Sequence, residues 1–136
     1  MTQRMACADL HRRPGVEARE GDVKTLDQIR LEPNERAAIE AAVAVLRDKL
    51  PITKIILFGS KARGDDHGDS DIDLLLLTAH RFTWEERSLA VELLFPLQLD
   101  YDVLFGLVDI AEDDWFRGVY QVMPLRDEVD RDGVAA

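Results

Sequence analysis

Two short apolar segments joined through a glycine-serine turn constrain this chain more than any other feature. Ile52 to Phe58 has the length and the β-branched content of a strand, and it runs straight into Gly59-Ser60. Ten residues follow the turn before Asp71-Ile72-Asp73 opens a second apolar segment. Its unbroken run, Leu74-Leu75-Leu76-Leu77, fits a strand buried on both faces. Between the two, Ser60 to Arg63 can form a single helical turn, and Asp65 to Ser70 reads as a loop.

The flanking segments supply helices to cover such a pair. Pro33 and Asn34 open a helix in which Ile39, Val43, Leu46 and Leu50 share one face, and Pro51 stops it. Trp84 to about Phe95 is expected to be helical, with Leu89, Leu93 and Leu94 inward and Glu85, Glu86, Arg87 and Glu92 largely outward. Leu99 to about Val108 reads as a third strand. A helical stretch from about Glu112 to Asp130 follows, interrupted near Pro124 and closed by Gly133. This order predicts an α/β or α+β fold, a small sheet flanked by helices. Residues 1–25 lack apolar periodicity and are expected to form a loosely ordered arm, leaving residues 26–136 as one domain.

Composition narrows the function. A chain of 136 residues, 46% hydrophobic and 32% charged, has the makeup of one globular domain. No apolar run approaches the roughly 20 residues needed to span a bilayer, and Met1 to Leu10 has no secretory core. Cys7 is the only cysteine, which fits a reducing cytoplasm. Lys and Arg number 17 against 27 Asp and Glu, for a net charge of -10. Such a surface repels extended nucleic acid. A single nucleotide arriving with magnesium differs, because the metal supplies positive charge.

The aspartates carry the chemistry. Residues i and i+2 of a strand point to one face, so Asp71 and Asp73 project together, about 6.6 Å apart along the strand. Ile72, Leu74 and Leu76 take the other face. Asp100 and Asp102 repeat the spacing on the expected third strand, which would place one of them beside the pair. Carboxylates roughly 5 Å apart repel by about 3 kcal/mol at an effective dielectric near 20, so a cation is needed to hold three together. Oxygen-only ligands select a hard ion such as magnesium or manganese. Taken alone, Asp-x-Asp after a polar loop more often caps a turn or starts a strand. Two rivals fail by position. A calcium loop from Asp69 would need Gly and Glu where Leu74 and His80 stand, and a P-loop from Gly59 would need Lys-Ser or Lys-Thr where Asp65-Asp66 stand.

Gly59 removes a side chain where a phosphate must approach the backbone, and the amides beyond it, with the Ser60 hydroxyl, can donate to a triphosphate. Lys61 and Arg63 add positive charge, and the planar fork of Arg63 suits phosphate. By itself this is an ordinary strand-to-helix turn; its spacing to Asp71-Ile72-Asp73 gives it meaning.

Phe58-Gly59-Ser60-Lys61-Ala62-Arg63-Gly64 followed by Ser70-Asp71-Ile72-Asp73-Leu74 closely resembles the minimal nucleotidyltransferases, a branch of the DNA polymerase beta-like superfamily. The likeness covers about Asn34 to Gly133. It implies a small mixed sheet flanked by helices and magnesium-dependent transfer of AMP from ATP to a hydroxyl, with pyrophosphate released. It also implies roles: Gly59 and Ser60 on the triphosphate, with Arg63 assisting; Asp71 and Asp73 on the metals; and a third acid on the catalytic metal. Asp102 fits the hydrophobic-Asp-hydrophobic pattern best, with Asp100 the alternative. Family members of this size often act as antitoxins beside a HEPN ribonuclease toxin, transferring AMP to one of its tyrosines. The chain after Asp102 is too short for the extra domain that holds small acceptors. The acceptor is then expected from a second protein or a second copy, in a hetero- or homo-oligomer. The alternatives are a degenerate member that neutralises its partner by occlusion and a small-molecule transferase with a shared site.

Other residues have plainer expectations. His67 is a solvated loop histidine, Trp84 and Trp115 are helix packing residues, and Tyr101 faces away from Asp100 and Asp102. Glu112-Asp113-Asp114 is a helix N-terminus favoured by the dipole, with a basic partner surface as the other reading.

Overall fold

The leucine run forms the middle of the sheet, and Leu74, Leu75, Leu76 and Leu77 are all buried. The computed structural model describes residues 24–64 and 70–136. Its strands are β1 (Lys24–Thr25), β2 (Ile52–Phe58), β3 (Ile72–Thr78), β4 (Phe105–Ala111) and β5 (Val134–Ala135). They make one mixed sheet in the order β1-β5-β2-β3-β4. β2 runs antiparallel to β3 and to β5, whereas β3 pairs parallel with β4. The helices are α1 (Pro33–Lys49), α2 (Ser60–Arg63), α3 (Trp84–Tyr101), α4 (Glu112–Arg117) and α5 (Pro124–Asp132).

Strand periodicity divides the core in two. Ile72, Leu74 and Leu76 join Ile39, Ala42 and Leu46 of α1 and Ala90 and Leu94 of α3 on one face. Leu75 and Leu77 join Phe58, Ile110, Trp115 and Val129 on the other. Asp73 has the parity of Leu75 and therefore lies on the α4/α5 face. Arg126 ties that layer together. Almost fully buried, it donates to the Trp115 carbonyl oxygen at 2.8 Å, pairs with Asp130 and stacks over the Trp115 ring at 5.0 Å.

The expected α/β sheet with flanking helices is what forms, and β2 and α2 have the expected bounds. Three expectations change. The helix from Trp84 continues through Pro96 to Tyr101 instead of ending near Phe95. Proline there removes only the donor to Glu92, on an exposed side of the helix, so the turns beyond survive. The third strand is consequently Phe105–Ala111, not Leu99 to Val108. Two-residue strands at each end of the described chain add a sheet edge that short sequence segments cannot announce. Apart from Lys24 and Thr25, the expected arm lies outside the described residues. Trp84 is 74% exposed and does not pack, whereas Trp115 is core.

Candidate active site

β2 delivers the chain to Gly59 beside the start of β3, because Phe58 is in register with Asp73. Gly59 has φ +81°, a conformation that favours glycine. A Cβ on it would also collide with Asp73 Oδ2. On the other flank Asp73 is in register with Gly106 of β4, where an added Cβ would stand 2.7 Å from Asp73 Oδ1. The carboxylate thus occupies a notch between two glycines on neighbouring strands. Asp71, exposed, immediately precedes β3, and the Ile72 amide donates to the Leu104 carbonyl oxygen at 2.8 Å.

The turn helix α2 is held by its neighbours. Arg63 N donates to the Gly59 carbonyl oxygen, Gly64 closes the turn in the left-handed region, and Ser60 Oγ lies 3.1 Å from Ser70 Oγ. Arg63 Nη1 pairs with Glu128 Oε2 at 3.3 Å, joining α2 to α5 at the rim of the aspartate face. Lys61, expected to add charge for phosphate, is instead fully buried and ion-paired with Glu35 of α1. The same Glu35 accepts the Glu32 amide at 2.9 Å, so one carboxylate both caps α1 and anchors α2.

The proposed third acids stand elsewhere than their spacing suggested. Asp100 is in the last turn of α3 and exposed. Asp102 caps α3 with φ +58°, a left-handed conformation aspartate tolerates. Neither shares a strand with the other or lies on β4 beside Asp73. The one acid within β4, Asp109, has the opposite parity to Gly106, and Arg87 holds it at 2.8 and 3.0 Å. Among the described residues no three metal-ligating side chains are gathered. Sequence reasoning missed Gly106, although a glycine inside an apolar strand signals close approach of another group. His67 lies outside the described residues.

Burial, then the negative charge of Asp71, then that of Glu128 push the Asp73 carboxyl above the usual aspartate value of 3.8, with Arg63 opposing. Ionising Asp73 therefore costs the folded state stability when no cation is present. That cost is complete above the folded pKa and disappears as pH falls toward 3.8. In EDTA at pH 7, Asp73→Asn should melt a few degrees higher than wild type at most, since the site is partly open to solvent. The difference should vanish near pH 4; thermal melts across pH check it, and a lower melting point at pH 7 would contradict it.

Magnesium fits this donor set. It is commonly held by one or two carboxylates completed by substrate phosphates, and the two glycines leave the Asp73 oxygens uncrowded. A 490 Å³ groove at the far end of β4, lined by Arg81, Arg87, Asp109, Asp114 and Tyr120, is a separate feature. Its charges are already matched in Arg81–Asp114 and Arg87–Asp109 pairs.

A strand, a Gly-Ser turn and a facing Asp-x-Asp on an antiparallel partner define a protein of the nucleotidyltransferase class. The chain belongs to the family described as polymerase beta, nucleotidyltransferase, whose model matches residues 40–116. Two similar proteins from Methanocaldococcus jannaschii are provisionally named protein adenylyltransferases. One is 40% identical over 62 residues, 46% of this chain and 61% of its own length. The other is 38% identical over 82 residues, 59% of this chain and 77% of its own length. Among solved structures, a toxin-antitoxin crystal structure with AMP-PNP is similar at a TM-score of 0.50 and 25% identity. That match covers 71% of this chain and 69% of the other. The family and fold expected from the motif are therefore borne out. No helix among the described residues is long and apolar enough to cross a membrane.

Proposed function

We propose that this protein is a magnesium-dependent adenylyltransferase that moves AMP from ATP to a hydroxyl of a partner protein, a tyrosine of a HEPN-type toxin. The observation that carries the reading is the Asp73 carboxylate, held between Gly59 and Gly106 next to Asp71 and disfavoured in its charged form until a cation arrives. The names of the two M. jannaschii relatives and the toxin-antitoxin structure with AMP-PNP support the reaction and the kind of partner.

Asp71 and Asp73 would hold magnesium, which when bound neutralises phosphate charge and polarises the α-phosphoryl group. Gly59 lets the triphosphate approach the backbone, Ser60 donates to it, and Arg63 turns its guanidinium to the phosphates. The acceptor oxygen then bonds to the α-phosphorus, the bond to the β-phosphate oxygen breaks, and pyrophosphate leaves. The acceptor proton passes to a carboxylate of the site or to water. Asp102, the expected third ligand and catalytic residue, caps α3 and is not on the strand beside Asp73.

The test is incubation with α-labelled ATP, magnesium and the adjacent gene's product. Label should appear on a tyrosine of that product and disappear with EDTA; its absence with magnesium present would reject the reading. Gly106 in register with Asp73 favours one other reading, a member that neutralises its partner by occlusion alone. That reading requires Asp71→Asn/Asp73→Asn to neutralise the toxin as well as wild type does.

A further inference from the structure

We propose that the outer face of α3 is the docking surface for the protein that this chain modifies, and that it takes an amphipathic helix edged by lysine or arginine. The proposal rests on the nucleotide-transfer reading above in taking that protein as the partner.

Helix α3 is apolar on two sides. Ala90 and Leu94 turn to the core. On the opposite side Trp84, Val91, Phe95 and Leu99 follow one another at helical spacing, and each is more than half exposed. Together they present apolar surface on the order of 500 Å², a patch of the size that marks an interaction site.

Charge decides what covers it. Glu85 and Glu92, both exposed, border one edge of the stripe. Pro96 has no amide for the Glu92 carbonyl oxygen, so that edge also offers a backbone acceptor. On the other edge Arg87 is already paired with Asp109. The stripe is thus edged by negative charge and suits a basic partner. A second copy fits poorly, because two-fold pairing centred on the stripe sets Glu92 against its own copy, and each chain carries a net charge of -10. Membrane-surface helices edge their apolar face with lysine and arginine, the reverse of what stands here.

The stripe also leads to the candidate active site. Gln98 Oε1 of α3 accepts the Phe105 amide at 2.8 Å, so exposed Leu104 sits beside the last turn of the helix. The Leu104 carbonyl oxygen in turn accepts the amide of Ile72, between Asp71 and Asp73, at 2.8 Å. A partner lying along α3 is thereby carried to the aspartates.

The probe is the adjacent gene's product; titration calorimetry, or the KM for that product in the labelling assay, reads the affinity. Trp84→Ala/Phe95→Ala/Leu99→Ala should weaken it at least about 100-fold, because a few large apolar anchors carry most of an interface. Glu85→Lys/Glu92→Lys should weaken it about ten-fold and flatten its dependence on salt. Val122→Ala, exposed between α4 and α5, should leave it unchanged. Melting temperatures should match wild type, since every replaced side chain is exposed. Wild-type affinity in the triple variant, or unchanged or tighter binding in the charge-reversed one, overturns the proposal. So does a wild-type dimer, seen by sedimentation and lost in the triple variant, because a second copy then covers the stripe. If wild type still labels the product, the nucleotide-transfer reading survives any of these results. Binding without labelling keeps the surface and turns the reading to occlusion. Neither binding nor labelling removes both.

Discussion

Changing Asp71 and Asp73 together to asparagine is expected to reduce AMP transfer by at least about 1,000-fold, roughly 4 kcal/mol in the barrier, with the fold retained. Loss of the metal removes charge neutralisation at the moment the phosphoryl group is displaced, and no described side chain stands in for it. The fold should survive because Asp71 is exposed and Asp73 sits at the rim of the sheet, held there at an electrostatic disadvantage. Activity and metal-free stability should thus move in opposite directions on replacing Asp73, as at sites where function is maintained against stability. Initial rates with labelled ATP and a melt of the same preparation check both. A rate within ten-fold of wild type would refute the role of the pair.

Lys61→Ala is expected to cost about 3–5 kcal/mol, because it leaves the Glu35 carboxylate buried without its cation. For a domain of this size that lowers the melting temperature by about 10 °C or more. The pair joins α1 to α2, so its loss should also loosen the Gly-Ser turn and weaken nucleotide binding. Replacing both partners, Glu35→Leu with Lys61→Met, should restore much of the stability, since apolar side chains of similar volume do not demand charge compensation. Urea unfolding of the single and double variants measures this. A loss under about 1 kcal/mol for Lys61→Ala would show that Glu35 finds another partner.

Lys61 also shows where reading the chain falls short. A lysine two residues after the Gly-Ser glycine looks like a phosphate ligand, and only the packing of α1 over α2 reveals its carboxylate partner. Leu99-Asp100-Tyr101-Asp102-Val103 alternates like a strand, yet α3 continues to Tyr101 and Asp102 caps it. The alternation is local, whereas the helix is sustained by Ala90 and Leu94 packing into the core and by the Asp102 cap. Trp84 misled in the other direction, because helical position alone does not say which face meets the core.

Strand β2, the Gly-Ser turn, α2 and the two-faced burial of β3 were legible in the residues themselves. Each depends on local backbone preference or on a two-residue period, and both are written in consecutive positions. The family was legible for the same reason, as its motif lies within one short stretch. Which residues surround Asp73 was decided by the tertiary structure alone. Gly106 lies 33 positions further along the chain, and strand register brings it beside Asp73. Such placement follows from burying two faces of one sheet at once, a condition that no local stretch of sequence expresses.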